Sequence, residues 1–220
     1  SAGVPLNLSP PGRFLRHVTE LIMQPLTSEA LLTLLKHPLA NSGTEDRGPH
    51  LLNTRELELH LRRYGPPFPN GAALIKWAER TENPDRHAWA TWVAGIIDTI
   101  ERPAKQSLTA HINSILNCAT AFARGLSDEG SGELWDQAAG REAWRVCQTI
   151  VQNADASGDM SASEFAGLFQ ALLADGVVRD RDAGHPNILI WGTLEARVQS
   201  ADLVILGGMN EGVWPEAPAP

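Results

Sequence analysis

Apolar residues recur at helical spacing along most of the chain, and this periodicity favours a fold built from packed helices. It is clearest between Asp85 and Glu101, where apolar side chains fall at i, i+3, i+4, i+7, i+8 and i+11. These residues are Trp89, Trp92, Val93, Ile96, Ile97 and Ile100. Because a helix buries such a stripe against its neighbours, we expect these residues to lie in the core.

Proline and glycine divide the chain into about eight helical segments, which predicts a mainly α fold. The first begins at Ser9 and Pro10 and is ended by Pro25, because proline suits the first helical turn but cannot continue a helix. The segment 41–49 is expected to be a loop. The other helices are expected near residues 28–37, 54–64, 71–81, 85–101, 107–124, 135–150 and 164–174.

The pattern changes after Gly176, where short, continuous apolar runs replace helical periodicity. Residues 187–191 (NILIW) and 201–208 (ADLVILGG) are typical of strands that are covered on both faces in an α/β layer. The sequence therefore predicts a helical domain over residues 1–182 and a truncated α/β segment over residues 183–220. Since two such strands do not form a stable sheet alone, we expect the chain to be a fragment of a longer protein.

Charge and cysteine content narrow the functional classes. With 18 Lys and Arg against 26 Asp and Glu, the formal net charge is −8, which argues against a surface coated for nucleic acid but leaves room for a local groove. Cys118 and Cys147 form no Cys-x-x-Cys pair, so we expect neither disulfides nor a zinc knuckle. This cysteine content fits a protein of the reducing cytoplasm. No apolar run approaches the ~20 residues of a membrane span, so we expect no membrane association.

Residues 153–164 (NADASGDMSASE) resemble the loop of an EF-hand. Asn153, Asp155, Ser157 and Glu164 occupy ligand positions 1, 3, 5 and 12, with Gly158 at position 6. However, positions 1 and 5 lack carboxylates, so the ligand charge for calcium is low. Ser161 and Glu164 also fit a capping box, which explains the same residues as an ordinary helix start. We prefer the capping box, and the alternative is a helical interaction module with a weak calcium loop.

The remaining polar residues suggest no catalytic centre. The seven histidines show no paired ligand spacing, so we expect surface or helix-end positions and no metal site. The phosphate loop of nucleotide-binding proteins, His-Glu-x-x-His and Gly-x-Ser-x-Gly are absent from the sequence. Arg55, Arg62 and Arg63 form a small basic patch on one expected helix, together with Glu56 and Glu58. We interpret this patch as a solvated helix face.

The two ends of the chain carry a family resemblance. Residues 188–220 (ILIWGTLEARVQSADLVILGGMNEGVWPEAPAP) resemble the helicase-like part of AddB proteins, of the alphaproteobacterial type. AddB proteins are subunits of the bacterial AddAB helicase-nuclease, which acts in double-strand break repair and recombination. Residues 1–22 (SAGVPLNLSPPGRFLRHVTELI) and 31–40 (LLTLLKHPLA) resemble the same family, whereas the middle of the chain matches it mainly in helical character.

The resemblance implies a specific organisation. In superfamily 1 helicases, which AddB proteins resemble, a helical 2B subdomain is inserted into a RecA-like 2A domain. The chain would then be a 2B-like domain followed by the return into 2A. Active relatives carry a Lys-Gly pair that residues 192–197 lack, which fits a degenerate motor. The resemblance thus implies a non-catalytic part that handles DNA, and it leaves the ATPase activity of the parent subunit open.

Candidate site residues fall at the carboxyl ends of the two expected strands, where open α/β sheets bind ligands. We expect Thr193, Arg197 and Asn210 to face DNA, since arginine can contact phosphate. Glu211 repels phosphate and is expected to order its loop. The residues expected to order that loop are Gly207, Gly208, Glu211, Gly212 and Trp214.

Partners and cofactors are implied only by the resemblance. The intact subunit would bind DNA and an AddA-type helicase partner in the cytoplasm, with ATP and Mg²⁺ acting in the parent complex. The missing nuclease domain of such a subunit can hold an iron–sulfur cluster. For the chain itself we expect no cofactor, no metal and no catalytic residue.

Overall fold

Helices make up 62% of the chain, which confirms the prediction of a mainly α protein. The computed structural model describes residues 3–127, 129–154, 157–178, 191–192, 196–197 and 200–207. The chain divides into two compact units, Ser1–Asp180 and Arg181–Pro220. The helical part of the described chain lies almost wholly in the first unit, which we call the helical unit.

Eight α-helices and one two-stranded antiparallel sheet form the regular structure of the described residues. The sheet pairs β1 (Val4–Pro5) with β2 (Val177–Val178), and a 3₁₀ turn at Leu6–Leu8 follows β1. The helices are α1 (Pro10–Met23), α2 (Ser28–Lys36), α3 (Gly48–Tyr64), α4 (Gly71–Ala78), α5 (Pro84–Asp98), α6 (Leu108–Arg124), α7 (Gln137–Gln152) and α8 (Ala162–Asp175).

Side-chain caps fix the start of most helices. Ser9 Oγ accepts a hydrogen bond from the Gly12 amide at α1, and Thr27 Oγ1 does the same for Ala30 at α2. Asn83 Oδ1 accepts from two amides at the start of α5. Because the first amides of a helix have no intrahelical partner, these short polar residues stabilise helix starts that the sequence predicted.

The start of α3 differs from the prediction. The sequence predicted a loop over residues 41–49 and a helix from Thr54, but α3 begins at Gly48. Pro49 lies in the first turn of the helix, where its missing amide hydrogen is not needed. The Asp46 carboxylate accepts a 2.8 Å hydrogen bond from the Gly48 amide. The start of α7 is displaced in the opposite direction: this helix begins at Gln137, after the predicted start at Trp135.

The core lies around α1, which contacts α2, α6, α7 and α8. Phe14, Leu15, Val18 and Leu21 of α1 are fully buried. The apolar stripe of α5 is also largely buried, as predicted. The Trp89 ring packs edge-on against Trp77 of α4 and Trp92 of α5, with ring centroids 6.0 and 6.2 Å apart. Edge-to-face aromatic pairs contribute stability beyond that gained from burying their apolar area.

Residues 201–207 belong to the second unit and form no strand, although the apolar run predicts one. The side chains of Leu203, Val204, Ile205 and Leu206 are 59–85% exposed. A strand requires neighbours for its amides, its carbonyls and its apolar side chains. The other predicted strand lies at residues 187–191, of which only Trp191 is among the described residues. Within the part that the structure describes, no helix has the length and apolarity to cross a membrane.

Two glycine substitutions compare a crowded helix position in α1 with an open one in α5. A Cβ at buried Gly12 would meet the carbonyl group of Leu6, whose backbone cannot move freely. We expect Gly12→Ala to lower the free energy of unfolding by about 1–3 kcal/mol. A Cβ added at Gly95, inside α5, would have no atom within 4 Å. Gly95→Ala should therefore raise the free energy of unfolding by roughly 0.5–1 kcal/mol, because alanine suits a helix better than glycine.

Urea denaturation of both variants measures these opposite effects. A Gly12→Ala chain as stable as the wild type would contradict the close approach of α1 to Leu6.

Candidate functional site

Arg197 and Gly207 are the two predicted site residues that the structure describes, and both are exposed. Arg197 lies in a turn, just after Ala196, whose amide donates a 3.0 Å hydrogen bond to the Gly192 carbonyl oxygen. The structure therefore does not test whether these residues come together. The other predicted site residues lie outside the described residues: Thr193, Gly208, Asn210, Glu211, Gly212 and Trp214.

The helical unit begins and ends at the same place. Val4 pairs with Val178 in the two-stranded sheet, and the Leu6 amide donates a 2.7 Å hydrogen bond to the Gly176 carbonyl oxygen. Leu6 is fully buried. The chain segments that lead into α1 and out of α8 are therefore held side by side.

A second set of hydrogen bonds ties this pairing to α1. Ser9 Oγ donates a 2.6 Å bond to the Leu6 carbonyl oxygen and accepts a 3.3 Å bond from the Gly12 amide. One side chain thus caps α1 and fixes the turn that carries Leu6. We call the pairing of residues 4–6 with residues 176–178 the terminal closure. Its strands contain two residues each, which is too short for the sequence pattern to predict.

Three histidines are buried: His37, His50 and His111. His37 is the C-cap of α2, and His50 and His111 lie near the starts of α3 and α6, so these are helix-end positions, as expected, but none is on the surface. His50 links three elements. Its Nε2 lies 2.7 Å from the Leu35 carbonyl oxygen, and Trp89 Nε1 lies 3.0 Å from its Nδ1. Since a carbonyl only accepts and an indole only donates, the ring must be neutral with its proton on Nε2. Desolvation by burial lowers the pKa of His50 to about 4.

His111 joins α6 to the start of α8. Its Nε2 lies 3.0 Å from the Met160 carbonyl oxygen and its Nδ1 lies 2.9 Å from the Gln106 amide nitrogen. The same argument puts the proton on Nε2. The ring stacks on Phe165, with centroids 4.8 Å apart. His111 therefore has a structural role, and both of its nitrogens are engaged.

His37 lies at the end of α2, and its Nδ1 accepts a 3.2 Å bond from the Leu39 amide. Burial, together with His17 and the nearby arginines, lowers its pKa to about 4. Arg47 donates to the His37 and Ala40 carbonyl oxygens at 2.9 and 3.0 Å and so satisfies acceptors near the end of α2. The sequence contained a signal for two of the buried histidines. His50 precedes Leu57 and Leu61 at i+7 and i+11 on one face of α3, and His111 precedes Ile115 and Phe122 at i+4 and i+11 on one face of α6.

The segment that resembles an EF-hand contains the predicted capping box. Ser161 Oγ accepts from the Glu164 amide at 3.3 Å, and the Glu164 carboxylate accepts from the Ser161 amide at 2.8 Å. Backbone and side-chain hydrogen bonds from Ser161 lower the pKa of Glu164. The Glu164 carboxylate, which would close a calcium site, is thus already hydrogen-bonded to Ser161. Asp155 lies outside the described residues.

A cavity of about 450 Å³ lies between α5 and α6. Its titratable lining consists of Glu101 and Cys118, and burial raises the pKa of the Cys118 thiol to about 12. A thiol in this state is a poor nucleophile. Cys118 and Glu101 therefore do not form a pair of nucleophile and base. Among the described residues, no three His, Cys, Asp or Glu side chains are grouped to hold a metal ion.

Comparisons of the chain with protein-family models, with curated proteins and with solved structures found no significant match.

His50 and His37 predict a loss of stability in mild acid. The unfolded His50 takes up a proton near pH 6.5, whereas the folded His50 does so only near pH 4. Because the unfolded state then binds more protons, the free energy of unfolding should fall as the pH drops through this window. The slope is about 1.4 kcal/mol per pH unit for each such histidine, and His37 should contribute in the same way.

Urea denaturation between pH 7 and pH 4 measures this slope. His50→Gln should remove one histidine's share, while Leu57→Val on the same helix should lower stability by about 1 kcal/mol and keep the slope. Equal slopes for the wild type and His50→Gln would refute the role of His50.

Proposed function

We propose that the chain is part of an AddB-like subunit of an ATP-dependent helicase-nuclease that acts in double-strand DNA break repair and recombination. In this proposal the helical unit is a 2B-like subdomain, and residues 183–220 are the return of the chain into a RecA-like 2A domain. The segment handles DNA and has no catalytic centre of its own. The parent complex works in the cytoplasm with an AddA-type partner, ATP and Mg²⁺.

The terminal closure is the observation that carries the proposal. A domain inserted into another domain must receive the chain and return it at nearly the same point. The Leu6 amide and the Gly176 carbonyl oxygen are 2.7 Å apart, although 169 residues lie between them. Paired antiparallel strands lie about 5 Å apart, so the host domain need open only a narrow gap. This geometry supports an inserted helical subdomain.

One feature of the sequence and one of the structure support DNA handling without ATP hydrolysis. The chain lacks a phosphate loop, so ATP hydrolysis is assigned to other parts of the parent complex. Arg197 is exposed, as a phosphate contact must be. With a net charge of −8, DNA binding by the 220-residue chain alone should be weak.

Substitution of Arg197 tests the DNA role in the intact subunit bound to its AddA-type partner. If Arg197 contacts a phosphate, Arg197→Ala should weaken binding to duplex ends about equally for all DNA sequences. The dependence of log affinity on log salt concentration should also lose ~1 unit of slope. Arg13→Ala, which removes an exposed arginine from α1, is the matched control and should leave both quantities unchanged.

Fluorescence anisotropy with labelled duplex ends at several salt concentrations measures both quantities. If the Arg197→Ala complex keeps the wild-type affinity and slope, the DNA-contact role of Arg197 must be withdrawn.

A further inference from the structure

The helix α3 carries leucines on two opposite faces. Leu57 and Leu61 are buried against the body of the helical unit, whereas Leu51, Leu52 and Leu59 are 46–58% exposed. At 100° per residue, Leu52 and Leu59 lie on the side of the helix opposite Leu57 and Leu61. Core packing explains the inner leucines and leaves the outer three without a role.

Two arginines share the outer side of α3 with these leucines. Leu52, Arg55, Leu59 and Arg63 fall within an arc of about 80° and follow one another over about 17 Å of helix. We define the outer α3 face as Leu51, Leu52, Arg55, Leu59 and Arg63. Both arginines are exposed, and the structure shows no carboxylate within 4.0 Å of either among the residues it describes.

The acidic residues of α3 are engaged elsewhere. Glu56 forms an ion pair with Arg86, and Glu58 lies 2.7 Å from Lys36 Nζ and 2.8 Å from an Arg62 nitrogen. These contacts hold both carboxylates away from Arg55 and Arg63. The outer α3 face is therefore an apolar strip with uncompensated positive charge, on a chain whose net charge is −8.

We propose that the outer α3 face is a docking site for an acidic amphipathic helix of a partner protein, with leucine-type side chains on the face that contacts it. Leucines of the partner would cover Leu52 and Leu59, and its glutamates or aspartates would pair with Arg55 and Arg63. Recognition of an amphipathic helix commonly uses such anchors at i, i+3 and i+7. Arginine is also enriched at protein interfaces, where its planar head pairs with carboxylates.

The charge pattern selects this occupant over two others. A second copy that docked through the same face would bring Arg55 and Arg63 near their own counterparts, so like charges would repel. A nucleic acid could pair its phosphates with the arginines, but its charged backbone would leave the three leucines uncovered. An acidic helix with apolar side chains satisfies the arginines and the leucines together. The proposal does not depend on the DNA role proposed for Arg197.

A labelled acidic helix provides the test. The probe is a fluorescein-labelled peptide of about 18 residues, or five helical turns, with leucines along one face and glutamates on its flanks. A second peptide has serine in place of every leucine. Fluorescence anisotropy with the 220-residue chain should show saturable binding of the leucine peptide, and binding at least tenfold weaker for the serine peptide.

Paired variants locate the binding surface. Leu52→Ser with Leu59→Ser, and Arg55→Glu with Arg63→Glu, should each weaken binding about tenfold or more. Only the arginine variant should also reduce the salt dependence of peptide binding. The matched controls are Leu168→Ser on α8 and Arg141→Glu on α7, both exposed, which should change affinity less than about twofold. Circular dichroism and thermal unfolding verify that each variant is folded.

Three results would overturn the proposal. The first is equal binding of the leucine and serine peptides, and the second is equal binding by the paired variants and their controls. The third is that another ligand uses the face. Duplex DNA would be that ligand if its binding were weaker for the arginine variant but not for the leucine variant. A second copy of the chain would be that ligand if sedimentation showed a dimer that the leucine variant abolishes.

Discussion

The hydrogen bond from the Leu6 amide to the Gly176 carbonyl oxygen holds together the two ends of the helical unit. Both groups are part of the backbone, and Leu6 is fully buried, so loss of this bond would leave a buried donor unsatisfied. Ser9 extends the constraint to α1 through its bond to the Leu6 carbonyl oxygen. Since α1 contacts four other helices, the terminal closure fixes the helix against which α2, α6, α7 and α8 pack.

Buried polar side chains specify how the helices pack against one another. Hydrophobic burial drives the association of the helices, but it is not directional. His50 adds direction because it must meet a carbonyl of α2 and an indole of α5 at the same time. His111 does the same between α6 and the start of α8. Such networks favour one arrangement when every member is satisfied.

Local rules allowed the helices to be predicted from the sequence, because Ser9, Pro25 and the α5 stripe act over a few residues. The start of α3 was predicted too late, since Gly48 and Pro49 read as loop residues although proline also suits a first helical turn. The terminal closure and the histidine links depend on residues far apart in the sequence, and no local pattern encodes their partners. Of the predicted DNA-facing residues, Arg197 alone is described, so that site rests on the family resemblance.

Hydrogen exchange at the Leu6 amide tests the central claim, that the helical unit is closed by its own two ends. If the closure is part of the cooperative core, this amide should exchange only through global unfolding, with a free energy of opening within about 1 kcal/mol of that for the Val93 amide in α5. Nuclear magnetic resonance of the 220-residue chain measures both amides in one experiment. A Leu6 amide that exchanges as fast as the loop amide of Phe68 would show that the two ends separate freely, and it would remove the support for an inserted subdomain.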